Sequence, residues 1–318
     1  MKHDDENNMS RTDKTGPFPH TEVETTRPDV DVDKLSDDLL NWLAWEFVEP
    51  EKWGWIFRGH RKHYYSLKSS LHRKLESREK CGTAHSCSKI DHQTAENYLL
   101  SQFRKAAHHY IEASMVPDKN DDRLEWLALM QHYGAPTRLL DFTHSSYIAC
   151  FFALEEAERE EKAAIWAIDT SWLVEKSFPR LKGDFPIRSE DDLMDSNFMA
   201  KHFDEIFVSQ KSLLLPIVPP RSNPRLLVQQ GIFLCPGIGE DGIEKSLASY
   251  KNDTNDMNEH VLKIIIEKRI RTEVLFELRL MNISRASLFP DLQGYASSLA
   301  HELEYKSSDE IKRSSPST

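Results

Sequence analysis

Gln131-His132-Tyr133-Gly134-Ala135-Pro136-Thr137-Arg138-Leu139-Leu140-Asp141-Phe142-Thr143 joins a helical pattern to an extended one. Upstream, Leu124, Leu127 and Ala128 fall at helical spacing. Gly134 and Pro136 end that helix, because proline cannot continue the backbone hydrogen-bond ladder. Thr137 to Phe142 must then be a strand or an extended segment. From Ser145 the chain turns helical again, with Tyr147, Ile148, Phe151 and Phe152 on a strongly apolar face.

Working outward, Leu35, Leu39, Trp42 and Leu43 mark a helix starting near Asp33, and Trp55-Ile56-Phe57-Arg58-Gly59 reads as a short buried strand. A basic helix is expected from Ser69 to Arg78, then a Ser/Cys/His-rich loop from Lys80 to Ile90. Leu99, Phe103, Ala106 and Tyr110 mark a long amphipathic helix. Beyond the quoted stretch, Ala163–Ile168, Leu213–Val218, Leu226–Phe233 and Val261–Ile266 are strand candidates rich in apolar and branched residues. A helical insert runs from Glu190 to Phe207, and helices from Arg269 to Leu280 and Asp291 to Glu304 close the chain. The sum is α+β: one main mixed domain over residues 34–304, with a small, largely antiparallel sheet flanked by helices. Residues 1–33 hold nine acidic side chains and almost nothing to bury, so a disordered acidic tail is expected there, and a second polar tail at 305–318.

Composition narrows the function classes. Of 318 residues 39% are hydrophobic and 10% aromatic, enough apolar material to offset chain entropy. A net charge of −11 argues against a broadly cationic nucleic-acid or membrane footprint, while leaving room for a local basic patch. The longest apolar run, Tyr147 to Leu154, is far short of a bilayer span, and the first thirty residues hold no apolar leader segment, so a soluble cytoplasmic protein without a membrane partner is expected. Cys81, Cys87, Cys150 and Cys235 are too sparse for a disulfide scaffold. Cys81, His85 and Cys87 lack a second ligand pair at usable spacing, so no metal site is expected.

Three clusters can carry chemistry. Arg58-Gly59 at a strand end is a candidate anion grip, since a guanidinium offers a planar donor set to phosphate beside a residue without a side chain; a buried salt bridge is the plainer alternative. In the quoted stretch, His132 is a candidate general base, and Thr143 or Ser145 a cap for a helix whose first amides would face an anion. There the plainer alternative is a capping threonine, an Arg138–Asp141 ion pair and a structural histidine. The third cluster, Asn223 to Phe233, places Gln229 and Gln230 against Gly231; a glycine in a strand marks a bulge or a close approach. Gln230 either bonds a ligand or covers a sheet edge. The sequence contains no Walker A loop, dinucleotide-binding glycine fingerprint, zinc-protease helix or nucleophile elbow.

In this order the clusters resemble the FRG domain family, named for the triplet found here as Phe57-Arg58-Gly59. The run Tyr65, Leu67, Ser70, Arg73, the whole Gln131–Thr143 stretch, the Asn223-Pro224-Arg225 and Gln229-Gln230-Gly231 segment and Leu288-Phe289-Pro290-Asp291 all match its pattern, covering about Trp53 to Leu299. A further resemblance is to ADP-ribosyltransferases: Phe57-Arg58-Gly59 is similar to their first strand motif, and Phe142-Thr143-His144-Ser145 with Ala149 and Phe152 to their second. These likenesses imply a bacterial or phage setting, a toxin or defence effector, and NAD as substrate. They imply catalytic roles for Arg58, Thr143 and either Gln230 or Glu267, with Phe57, Gly59, His132, Tyr133, Thr137, Arg138, Asp141 and Arg225 around the nucleotide, and a protein or nucleic acid as acceptor. The departure from the pattern is that no glutamate lies between Leu226 and Phe233; Gln230 stands about where it belongs, and an amide gives an oxocarbenium-like state no charge stabilisation. The alternative is a non-catalytic module that binds a nucleotide or RNA end.

Overall fold

The structure is a computed structural model that describes residues 20–22, 39–41, 43, 54–80, 89–117, 122–156, 162–208, 212–237, 243–251, 257–306 and 313. In chain order the elements are β1 (His20–Glu22), β2 (Trp55–His60), α1 (Ser70–Lys80), α2 (His92–Ala107), α3 (Arg123–His132), β3 (Leu140–Thr143), α4 (Ser146–Leu154), β4 (Lys162–Asp169), α5 (Thr170–Leu181), α6 (Ser196–Val208), β5 (Leu214–Ile217), α7 (Pro224–Val228), β6 (Gly231–Pro236), α8 (Ile243–Lys251), α9 (Met257–His260), β7 (Val261–Glu267), α10 (Arg271–Leu280), α11 (Arg285–Leu288) and α12 (Leu292–Tyr305). The strands form one sheet in the order β1-β7-β4-β2-β3-β6-β5, with β1 parallel to β7 and every other pair antiparallel. The class is mixed α+β with helices flanking a largely antiparallel sheet, as the patterning predicts.

Side-chain alternation divides the core between two faces. On one face, Phe57, Ala163, Ile165, Ala167, Ile264 and Ile266 pack against α4 and α10. Farther along it, Leu215, Ile217, Phe233 and Cys235 pack against α2, α3 and α6. The opposite face carries Ile56, Leu140, Phe142, Trp166, Ile168, Ile232 and Leu234 beneath Trp172, Leu247 and Tyr250. Helix α4 comes so close to β2 that a Cβ on Gly59 would stand 2.1 Å from the Ala149 carbonyl oxygen and 2.5 Å from the Ala153 nitrogen. Glycine is required there for helix–sheet packing.

Several sequence expectations are corrected. Residues 226–228 belong to α7 rather than to a strand, because Asn223 caps its first turn, accepting from Leu226 N at 2.8 Å, and Pro224 supplies a preset first helical residue. Helix α5 follows β4 directly, capped by Asp169, and tolerates Pro179 close to its end. Helices α8, α9 and α11 were not anticipated. Within the expected acidic tail, His20–Glu22 forms a strand alongside Lys263–Ile265, because the edge of β7 offers backbone partners that composition does not reveal. The remainder of residues 1–33, the loop holding Cys81, His85 and Cys87, and most of 305–318 lie outside the described residues. Among the described residues no helix is long and apolar enough to cross a membrane.

Candidate functional site

The Gln131–Thr143 connection is built by local hydrogen bonding. Gly134 (φ 77°) ends α3 in the left-handed region, with Gly134 N donating to Gln131 O and Ala135 N to Met130 O, a pair of bonds that satisfies the last carbonyls of the helix. Thr137 is fully buried; its amide donates to Ser70 Oγ, and its carbonyl accepts from Leu71 N at the start of α1. Gln131 spans the turn, accepting from Thr137 Oγ1 at 2.5 Å and donating to Asp141 Oδ2 at 2.8 Å. Arg138 turns inward to Glu96 on α2, with contacts of 2.5 and 2.6 Å, and Arg123 meets the same carboxylate at 2.6 Å. Burial opposes ionisation of Glu96, but the two arginines overcome it and hold the carboxyl below the ordinary range. The expected Arg138–Asp141 pair does not form: Arg138 finds its carboxylate 42 residues upstream.

Strands β2 and β3 share one paired position, Phe57 with Thr143. Past it the ladder stops, and Arg58 spans the opening: Nη1 donates to the Asp141 carbonyl oxygen at 2.6 Å and Nε to His60 Nε2 at 3.2 Å. Arg58 therefore makes no salt bridge, and the plainer sequence alternative is corrected. Burial pushes its pKa down, the nearby Asp141 charge opposes that, and Arg73 adds to it.

This opening lies between two adjoining cavities. The inner, of about 210 Å³, is lined by Phe57, Arg58, Gly59, Asp141, Phe142, Thr143, Phe152, Arg225 and Gln229. The outer, of about 560 Å³, shares Arg58, Gly59, Phe152 and Arg225 and adds His60, Arg61, Tyr65, Ser66, Lys68, Arg73, Glu155, Glu156, Arg285 and Phe289. Its two carboxylates are already engaged, Glu155 with Arg285 at 2.6 Å and Glu156 with Arg61 at 3.1 Å, and Lys68 pairs with Glu76 at 2.5 Å. Arg58, Arg73 and Arg225 have no carboxylate in ion-pair contact among the described residues. Arg225 and Arg285 instead stack on the Phe289 ring, 4.5 and 4.8 Å from its centroid. The result is a local positive cleft on a chain of net charge −11.

Of the residues singled out in the sequence, Phe57, Arg58, Gly59, Asp141, Thr143 and Arg225 line this cleft. Thr143 also serves the fold: Oγ1 donates to Gln229 O at 2.7 Å and accepts from Ser145 N at 3.0 Å, while Ser145 caps α4. His132 is packed edge-on to Tyr133 and lines neither cavity; burial, and then Arg225, lower its pKa, with Asp291 opposing. Gln230 is exposed, with φ 47°, in the turn between α7 and β6. Glu267 ends β7, two strands away from β2, paired with Lys162 at 3.0 Å. Thr137 and Arg138 are buried in the supports of the loop. The sequence reading assigned no role to His60, Arg61, Lys68, Glu155, Glu156 or Arg285. The signal for part of this set was present in the Tyr65–Arg73 run; nothing local pointed to Arg285. Among the described residues no cluster of three or more His, Cys, Asp or Glu side chains is placed to hold a metal ion.

The fold and cleft define a mixed α+β domain with an arginine-lined cleft at a break in its sheet. Residues 54–162 match the family model described as the FRG domain, a stretch that includes the Phe57-Arg58-Gly59 triplet and the Gln131–Thr143 connection. Arg225, Arg285 and Phe289 reach the cleft from outside the matched residues. No curated protein and no solved structure matches the chain.

Proposed function

We propose that the cleft binds a phosphorylated ligand of nucleotide size, gripped by Arg58 at the junction of the two cavities. The observation that carries this reading is the convergence of the half-buried Arg58 and Arg225, neither with a carboxylate partner among the described residues, since such guanidinium groups are otherwise paired; the exposed Arg73 adds charge at the rim. Arg58 is oriented by two neutral acceptors, which fix the fork, and among the described residues no protein group pairs with Nη2. The volumes suit a nucleotide, whereas the overall charge of −11 disfavours a long polyanion such as RNA.

NAD is the dinucleotide to test first, because the Phe57-Arg58-Gly59 and Phe142–Ser145 segments are similar to ADP-ribosyltransferase motifs. Turnover would require a carboxylate close to the scissile bond. Asp141, Glu155 and Glu156 line the cleft and could supply it; Gln230 and Glu267 do not. The two forms of the proposal are thus a cytoplasmic NAD-using effector and a nucleotide sensor. Calorimetric titration of ADP and NAD into wild type and Arg58→Ala tests the binding. The variant is expected to weaken affinity by a factor of ten or more with an unchanged melting temperature. Absence of binding to wild type, or equal affinity in the variant, refutes the reading. Mass spectrometry for released nicotinamide then separates effector from sensor.

A further inference from the structure

The closing helix, α12, is amphipathic with its apolar side outward. Leu292, Ala296, Leu299 and Leu303 fall within an arc of about 60°, with Tyr295 and Ala300 at its two sides. A surface helix ordinarily turns such a stripe to the core. Here every residue of the stripe is exposed, Leu292 by 81%, Leu303 by 68%, Tyr295 by 56% and Leu299 by 48%. The side that meets the domain is small or polar instead. Gly294 is buried against Phe289, where a Cβ would stand 2.2 Å from the carbonyl oxygen, and Ser298 and His301 are half-buried. Glu302 pairs with Arg279 of α10, and Glu304 with Arg271 at 2.8 Å. A glycine contact and ion pairs thus hold the helix, and the described residues leave most of its apolar side uncovered.

The stripe is its own complement. Laid antiparallel on a second copy about a two-fold axis between Ser297 and Ser298, Leu292 meets Leu303, Tyr295 meets Ala300, and Leu299 meets Ala296. The bulky side chains of the middle turns each face an alanine, the large-against-small alternation that lets two helices interdigitate. A parallel pair would set Tyr295 on Tyr295 and Ala296 on Ala296, overfilling one level and leaving the next empty. The exposed area of the stripe is about 500 Å², so a pair covers about 1,000 Å², the size at which specific interfaces begin.

We propose that α12 is a docking surface for a second copy of this chain, paired antiparallel through the Leu292–Leu303 stripe. Such a contact is isologous and closes at two copies. It does not depend on what the cleft binds.

Sedimentation velocity of the full chain over a range of micromolar concentrations tests the pairing. Wild type is expected to form a concentration-dependent dimer. Leu292→Lys and Leu303→Glu, both at exposed positions, each set a charge against a leucine of the other copy, and each is expected to weaken the dimer by a factor of about ten or more. Unchanged far-ultraviolet circular dichroism shows that the helix still forms. The double variant Leu292→Lys/Leu303→Glu places opposite charges face to face at both ends of the antiparallel pair and is expected to restore the dimer. Within one helix the two positions are too far apart to pair, so the rescue is specific to this register. A wild type that stays monomeric overturns the proposal, and slow hydrogen exchange along α12 of that monomer would assign the cover to the same chain. A dimer that Leu303→Glu leaves intact, or one that the double variant fails to restore, overturns it as well.

Discussion

Lowering the pH should destabilise this protein through His60, and the size of the effect follows from its burial. Burial, then Arg58, then Lys263 and Arg73 push its pKa down to about 3, against an opposing contribution from the Tyr65 backbone. In the unfolded chain the same imidazole titrates near its ordinary value of about 6.5. The folded state therefore holds fewer protons than the unfolded state between those values. Stability is fully present above the unfolded pKa and is lost as the pH falls through the window below it. Between pH 7 and pH 5 the loss from this one residue is about 2 kcal/mol, and it grows further toward pH 3. His132 and His144 are also shifted downward by burial and add to the total, so the residue must be isolated by difference. Urea unfolding followed by tryptophan fluorescence at pH 7 and pH 5, on wild type and His60→Asn, provides it. Asparagine does not titrate, so the variant should lose about 2 kcal/mol less than wild type over that interval, whatever its stability at pH 7. Parallel losses in the two proteins would refute the reasoning.

Two further outcomes test how the site is supported. Gly59→Ala should cost at least about 2 kcal/mol, because its Cβ would stand 2.1 Å from the Ala149 carbonyl oxygen and α4 must be displaced; a melting temperature equal to wild type would show that the helix does not press on β2. Thr143→Val should cost about 1–3 kcal/mol by stranding Gln229 O and Ser145 N, which chemical denaturation measures. A tenfold loss of ADP affinity at unchanged stability would instead make Thr143 a ligand contact.

The elements legible in the sequence are those whose signals are local. The Phe57-Arg58-Gly59 strand, β4, β7 and the helix–turn–strand–helix passage around Gly134 and Ser145 all follow from apolar period, a left-handed glycine and a capping serine. Where two local signals conflict, the sequence misleads. Leu226-Leu227-Val228 carries strand-forming residues, yet the Asn223 cap and Pro224 start a helix.

Within the candidate site the same division holds. The sequence alone determined that an arginine followed by glycine ends a buried strand, and that a polar loop with its own capping groups precedes an apolar helix. The tertiary structure decided what each charge meets. Arg138 and Asp141 are close in the chain, but Glu96 on α2 takes the arginine. Arg58 meets a carbonyl and an imidazole where a carboxylate was the ordinary expectation. Arg285 and Phe289 arrive at the cleft more than two hundred residues after Arg58, carried by the packing of α11. Caps and hydrophobic periods are set over three or four residues and so are written in the order of the chain. The partner of a long side chain is set by which elements the core brings together, and that is a property of the whole fold.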